Sequence, residues 1–171
     1  MSSIDTLIDA DTIARRVKEL GAQITADHAG RDLVLVPVLN GSFVFAADLA
    51  RAIELPLAID FFGCRSYEGT ASSGVVQTTL DLSHPIQGKH VIVVEDIVDT
   101  GLTMTYMLEN LRTRRPASVQ LASLLSKPAR RKVDVAIDYL GFEIEDVFVV
   151  GYGLDFDEHY RNVPYLGVLR S

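Results

Sequence analysis

The sequence contains no tryptophan and a single cysteine, Cys64, in 171 residues. One thiol excludes an intrachain disulfide framework and fits a reducing compartment. Cys64 itself reads as a small buried apolar residue. Long apolar runs are also missing. The longest, among them Leu33 to Leu39, are about seven residues, against roughly twenty for a membrane-spanning helix. The N-terminal Met1-Ser2-Ser3-Ile4-Asp5 has neither a basic start nor an apolar core, so no secretory signal is read there. Positive charge is in deficit: 16 Lys plus Arg stand against 23 Asp plus Glu, for a net charge of -7. That balance argues against general nucleic-acid binding, which needs a basic face to neutralise phosphates. The four histidines, His28, His84, His90 and His159, lack metal-ligand spacing. The expectation is a cytoplasmic protein that binds neither nucleic acid nor membrane.

What the chain does have is a globular composition, 48% hydrophobic and 23% charged, without repeats or low-complexity segments. Its length predicts one domain over residues 1–171, long enough to bury roughly 70% of its unfolded surface. Ile13, Val17, Leu20 and Ile24 recur at helical spacing, with Asp9 or Asp11 as cap and Gly30 beyond the end. Strands are expected at 33–38, 57–62, 75–82, 91–94, 118–125, 133–137, 147–150 and 165–169. Helices are expected after Ser42 and over 102–114. Residues 63–74, rich in glycine and serine, predict a mobile loop at the tip of a hairpin. Pro85 and Gly88 mark a turn. Strands alternating with helices predict an α/β fold with a mainly parallel sheet, whose ligands bind beyond the carboxyl ends of the strands.

The most informative stretch is Val91-Ile92-Val93-Val94-Glu95-Asp96-Ile97-Val98-Asp99-Thr100-Gly101-Leu102-Thr103. An apolar strand runs into two adjacent carboxylates, then Asp-Thr-Gly, then a helix. Thr100, Gly101 and Thr103 can present amides and hydroxyls at a helix N-terminus, where geometry and dipole favour an anion. Glu95 and Asp96 are acceptors, suited to sugar hydroxyls or metal-bound water. Acids beside a phosphate cradle suggest a phosphorylated sugar. The plainer alternative is that Asp99 and Thr100 only cap the helix, but two acids closing a buried strand still need partners. No Gly-x-x-x-x-Gly-Lys-Ser/Thr and no Gly-x-Gly-x-x-Gly after a strand occurs.

Residues 91–103 resemble the phosphoribosyl-pyrophosphate motif of the type I phosphoribosyltransferase family. Four further stretches resemble its hypoxanthine (hypoxanthine-guanine) branch, in the same order. They are Leu39-Asn40-Gly41-Ser42, Arg65-Ser66-Tyr67, Ser126-Lys127-Pro128, and Phe148-Val149-Val150-Gly151-Tyr152-Gly153-Leu154-Asp155 with Arg161. The resemblance implies a mainly parallel core sheet flanked by helices, with a small hood over the site. It also implies an activity, the joining of a 6-oxopurine to phosphoribosyl pyrophosphate with release of pyrophosphate.

Residue roles follow from the same resemblance. Leu39, Asn40, Gly41, Glu95, Asp96, Asp99, Thr100, Gly101, Leu102, Thr103 and Arg161 would hold phosphoribosyl pyrophosphate. Asp99 would be the catalytic group, handling a proton of the purine ring. Lys127, Phe148, Val149 and Asp155 would bind the purine, and Ser66 and Tyr67 would close over it. Asp155, with Glu95 and Asp96, would hold Mg2+. A homo-oligomer, dimer or tetramer, is implied. Asn40 stands where many members have lysine, which removes a charge from that role, and the peptide before it is often cis. Two rival readings are a transferase for another base, such as xanthine, and a regulator that senses phosphoribosyl pyrophosphate. The regulator would be expected to carry an added DNA-binding segment or a basic face.

Overall fold

Asp9 starts the first helix. Its carboxylate accepts the Thr12 N–H at 2.7 Å, supplying one of the partners that a helix N-terminus lacks. The computed structural model describes residues 3–66 and 76–170, Ser66 by its backbone alone. A short strand β1 (Ile4–Ile8) leads into α1 (Ala10–Asp27), whose buried stripe is Ile13, Val17, Leu20 and Ile24. Then follow β2 (Leu33–Leu39), α2 (Phe43–Ala52), β3 (Leu57–Ile59), β4 (Phe62–Ser66) and β5 (Val76–Leu80). The second half contains β6 (His90–Val98), α3 (Leu102–Arg112), β7 (Ser118–Ser126), β8 (Tyr139–Glu143), β9 (Val149–Val150) and β10 (Leu166–Leu169).

The main sheet has the order β5-β4-β2-β6-β7-β8. All its pairings are parallel except β4 with β5. β3 and β4 share one edge of β2, β3 beside Leu33–Leu35 and β4 beside Val38 and Leu39. The apolar run in β6 is explained by burial on both faces. Ile92 and Val94 pack with α1 and α2, whereas Val91 and Val93 pack with Met104, Met107, Leu108 and Leu111 of α3. A second, antiparallel sheet, β1-β10-β9, forms the expected hood. Among the described residues no helix is long and apolar enough to cross a membrane.

Several expectations need correction. The strand expected over 57–62 is broken at Asp60, whose carboxylate accepts the N–H groups of Phe61, Ser83 and His84 and so turns the chain. The expected loop 63–74 begins as strand: Gly63 to Ser66 pair antiparallel with β5. The rest of that stretch, Tyr67 included, lies outside the described residues. Helix α3 stops at Arg112, two residues early, where Arg114 N–H turns back to the Leu111 carbonyl. The strand expected over 91–94 is longer, β6 running from His90 to Val98. It stays paired with β7 as far as Val98 opposite Ser126. Residues 133–137 do not form a strand. Lys132 and Val133 donate to the Thr100 carbonyl instead of a sheet neighbour, and β8 forms later, at Tyr139–Glu143. The last two strands are shorter than expected, at Val149–Val150 and Leu166–Leu169.

Candidate active site

Successive residues of a strand face opposite ways, and β6 uses this to divide its two acids. Glu95 lines a small cavity of about 140 Å³ together with Asp99, Thr100, Gly101 and Thr103. Asp96 lines a neighbouring cavity of about 370 Å³. Glu95 is buried, and its Oε1 accepts the Asp96 N–H at 2.9 Å. Burial first, and the Asp96 charge next, push its carboxyl well above the usual range. Asp96 Oδ1 accepts the Ile97 N–H at 2.7 Å.

The β6–α3 loop borders both cavities through Asp99. Gly101 is the N-cap residue of α3 and adopts φ 87°, a conformation that costs glycine little. A Cβ there would lie 2.5 Å from the Val133 carbonyl oxygen. Thr100 Oγ1 accepts the Leu102 N–H at 3.3 Å. The loop is held from below by Arg131, which donates from Nε to the Asp99 carbonyl at 3.1 Å and from Nη2 to Ser126 Oγ at 2.7 Å. Asp99 does not cap the helix, contrary to the plainer reading of the sequence. Its carboxylate Oδ1 instead lies 2.7 Å from Arg130 Nε.

The larger cavity gathers Asp96, Ile97, Asp99, Lys127, Arg130, Phe148, Val149, Leu154 and Asp155. Lys127 follows β7, and its N–H donates to the Val98 carbonyl, which fastens the end of β7 to the end of β6. Its side chain is buried, with Nζ 4.0 Å from Asp146. Phe148 is 56% exposed, an unusual state for a phenyl ring, and meets Phe156 edge-on with centroids 5.7 Å apart. Asp155 Oδ2 accepts the Glu158 N–H, and its Oδ1 is 3.3 Å from Arg161 Nη2. Arg161 also donates to the Gly153 carbonyl at 2.8 Å.

The Leu39–Asn40 peptide is cis. Ser42 Oγ ties the loop back to the Val38 carbonyl at 2.6 Å. Gly41 touches Asp96 so closely that a Cβ would fall 1.9 Å from Oδ2. Asn40 is exposed.

The expected site residues thus fall into groups. Asp96, Asp99, Lys127, Phe148, Val149 and Asp155 meet around one cavity, with Glu95, Thr100, Gly101 and Thr103 next door. Leu102 points outward from α3. Arg161 stands behind Asp155 and lines a separate groove with Phe43 and Val44. Ser66 ends β4, and Tyr67 is outside the described residues. Sequence reasoning missed Ile97, Leu154 and Arg130. For Arg130 a signal existed: a cation three residues after Lys127, across a proline that starts a 3-10 turn (Pro128–Arg130).

A parallel sheet with a carboxylate-bearing strand, a glycine turn and a helix N-terminus at its carboxyl end defines an enzyme that handles a sugar phosphate. The chain belongs to the phosphoribosyl transferase family: the family's phosphoribosyl transferase domain matches residues 3–157. It is 48% identical over 170 residues to the hypoxanthine-guanine phosphoribosyltransferase of Mycobacterium avium, covering 95% of this chain and 84% of that one. Two crystal structures superpose with a TM-score of 0.94. One is a hypoxanthine phosphoribosyltransferase from Staphylococcus aureus, 45% identical, covering 97% of this chain and 91% of that one. The other is a hypoxanthine-guanine phosphoribosyltransferase from Bacillus anthracis, 44% identical, with both chains covered in full.

Proposed function

We infer that this protein transfers the 5-phosphoribosyl group from phosphoribosyl pyrophosphate to hypoxanthine and guanine. The products are the purine nucleoside monophosphate and pyrophosphate, so the role is purine salvage. The observation that carries this reading is one cavity holding a carboxylate, Asp99, a buried ammonium, Lys127, and an exposed phenyl ring, Phe148, beside the Thr100–Thr103 cradle.

In the reaction a purine nitrogen bonds to the ribose anomeric carbon as the bond from that carbon to the pyrophosphate oxygen breaks. The imidazole-ring proton must leave, and the Asp99 carboxylate is the acceptor facing the base. Lys127 donates to the 6-oxo oxygen, and Phe148 offers its face to the ring. The Val149 backbone borders the base edge. Amides and hydroxyls from Thr100 to Thr103 hold the 5′-phosphate at the α3 N-terminus. Glu95 and Asp96 accept hydrogen bonds from the ribose hydroxyls.

Mg2+ fits this donor set. Asp96 and Asp155 line one cavity, and among the described residues no three acidic, His or Cys side chains gather into a protein-only cage. Magnesium is commonly held by one or two carboxylates together with substrate oxygens and water. Asp155 and Asp96 would hold it, with Glu95 in the neighbouring cavity and not on the ion as the resemblance implied, and the charge of the ion would offset that of the departing pyrophosphate. We place the protein in the cytoplasm as a homo-oligomer, a dimer or tetramer, which light scattering on the eluting protein tests.

The deciding experiment compares pyrophosphate release with hypoxanthine, guanine, xanthine and adenine. Turnover with the first two, and little with adenine, is expected. Preference for xanthine or adenine overturns the substrate assignment. Tight binding of phosphoribosyl pyrophosphate without turnover on any base favours a sensor.

A further inference from the structure

We propose that Arg130 is a positioning residue for the Asp99 carboxylate, itself anchored on Asp146. The inference deepens the proposed function and rests on its assignment of Asp99.

The geometry is local and specific. After Lys127 the chain makes a single 3-10 turn, Pro128–Arg130, in which the Arg130 N–H returns to the Lys127 carbonyl at 3.1 Å. That turn swings the Arg130 side chain back over the cavity. Nε lies 2.7 Å from Asp99 Oδ1, and Nη1 lies 3.6 Å from Asp146 Oδ1. The same Asp146 oxygen is 4.0 Å from Lys127 Nζ. Asp99, Arg130, Asp146 and Lys127 therefore alternate in sign around one side of the cavity.

A guanidinium is planar, and its donors keep fixed directions. Holding its far end near Asp146 brings Nε against Asp99 as a charge contact at 2.7 Å, although Oδ1 receives no hydrogen bond. The terminal torsion of an aspartate is soft and roughly two-fold. The Arg130 charge beside Oδ1 draws that oxygen to one side of the cavity and leaves Oδ2 for the imidazole proton of the base. Asp99 has no helix cap to orient it, since Gly101 occupies that position without a side-chain hydrogen bond. Its backbone is separately fixed by Arg131. The neighbouring arginines thus divide the work: Arg131 holds the loop and Arg130 the carboxylate. Both partners of the Arg130–Asp99 pair are partly exposed, at 48% and 41%, so the coupling is modest.

The test is a double-mutant cycle on the full chain, with hypoxanthine and phosphoribosyl pyrophosphate as substrates. Arg130→Ala is expected to lower kcat about threefold to fivefold, the scale of an exposed ion pair. The KM for phosphoribosyl pyrophosphate should not move. Arg130→Lys, which keeps a donor and its charge, should recover more than half of the loss. In an Asp99→Asn background Arg130→Ala should cost nothing further, because the charge it pairs with and the proton acceptor it positions are already gone. Equal losses in the two backgrounds, or no loss in either, overturn the inference while leaving the role of Asp99 intact. Undiminished turnover of Asp99→Asn alone overturns that role and this inference with it. Should Arg130→Ala fail to fold by circular dichroism, Arg130→Gln, which keeps the length and loses the charge, completes the same cycle with the same expected outcomes.

Discussion

Adding one methyl group at Gly41 should disable the site without unfolding the protein. A Cβ built there lies 1.9 Å from Asp96 Oδ2 and 2.8 Å from its Cγ. The carboxylate oxygen must retreat by about 1.5 Å to reach an ordinary non-bonded contact. It cannot simply swing aside, because Oδ1 is held by the Ile97 N–H at 2.7 Å. Gly41→Ala therefore either breaks that bond or pushes the 39–41 loop outward. Displacements of about 1 Å at a substrate-positioning group cost on the order of 100-fold in rate. We expect kcat/KM for phosphoribosyl pyrophosphate to fall by about that factor. Stability should change little, since alanine restricts the unfolded chain by about 0.4–1 kcal/mol and offsets part of the strain. Initial rates at saturating hypoxanthine, paired with urea midpoints, measure both quantities. In an Asp96→Ala background, where the obstruction is gone, Gly41→Ala should add little. A Gly41→Ala protein with wild-type kcat/KM refutes the claim that this glycine seats Asp96.

Three further predictions follow from the site. Asp99→Asn keeps the shape of the side chain and loses the proton acceptor, so turnover should drop about 100- to 10,000-fold while phosphoribosyl pyrophosphate binding by calorimetry changes far less. Unchanged turnover would return Asp99 to a structural role. Lys127 presents only donors, so wild-type protein should favour hypoxanthine over adenine by at least about tenfold in kcat/KM. Lys127→Ala should lose 6-oxopurine activity without raising adenine to the same level; equal use of both bases by the wild type sinks this. Glu95 is the pH test. Its folded carboxyl binds its proton more tightly than the unfolded one, so the group's contribution is fully present below the unfolded value and is lost as pH rises through the raised one. Glu95→Gln removes that titration. Its urea midpoint relative to wild type should therefore climb as pH rises above the ordinary carboxylate range in metal-free buffer. A constant difference would show that Glu95 does not titrate there.

The elements legible in the sequence were those whose burial writes a strong period. The stripe of α1 and the two-faced apolar run of β6 are examples, and both stand where expected. The strand β1 was invisible because three of its five residues are exposed and its partner, β10, lies at the other end of the chain. Residues 133–137 show what alternation alone reports. Val135 and Ile137 do pack on the core, so the pattern described burial correctly. The N–H groups on either side of them, however, go to single carbonyls, Val133 to Thr100 and Asp138 to Leu121, and no ladder forms. The true edge strand, β8, carries a glycine at its centre and lacks a clean pattern. Much of the candidate site was legible because its residues sit in short, ordered motifs. Asp146 was not, because its importance lies in distances to Arg130 and Lys127 that only the folded chain defines.

The segment that follows β7 is laced onto the loop that follows β6. Lys127 N–H donates to Val98, Lys132 and Val133 N–H to Thr100, and the Arg131 side chain to Asp99. For anyone seeking to retrain this scaffold toward a different nucleobase, the lacing sets the size of the exchangeable piece. Grafting Lys127 alone would carry over a contact without its footing. The unit that can be transplanted between relatives is residues 126–133 together with the 98–101 loop beneath it, and diversification libraries should vary those two strips in concert.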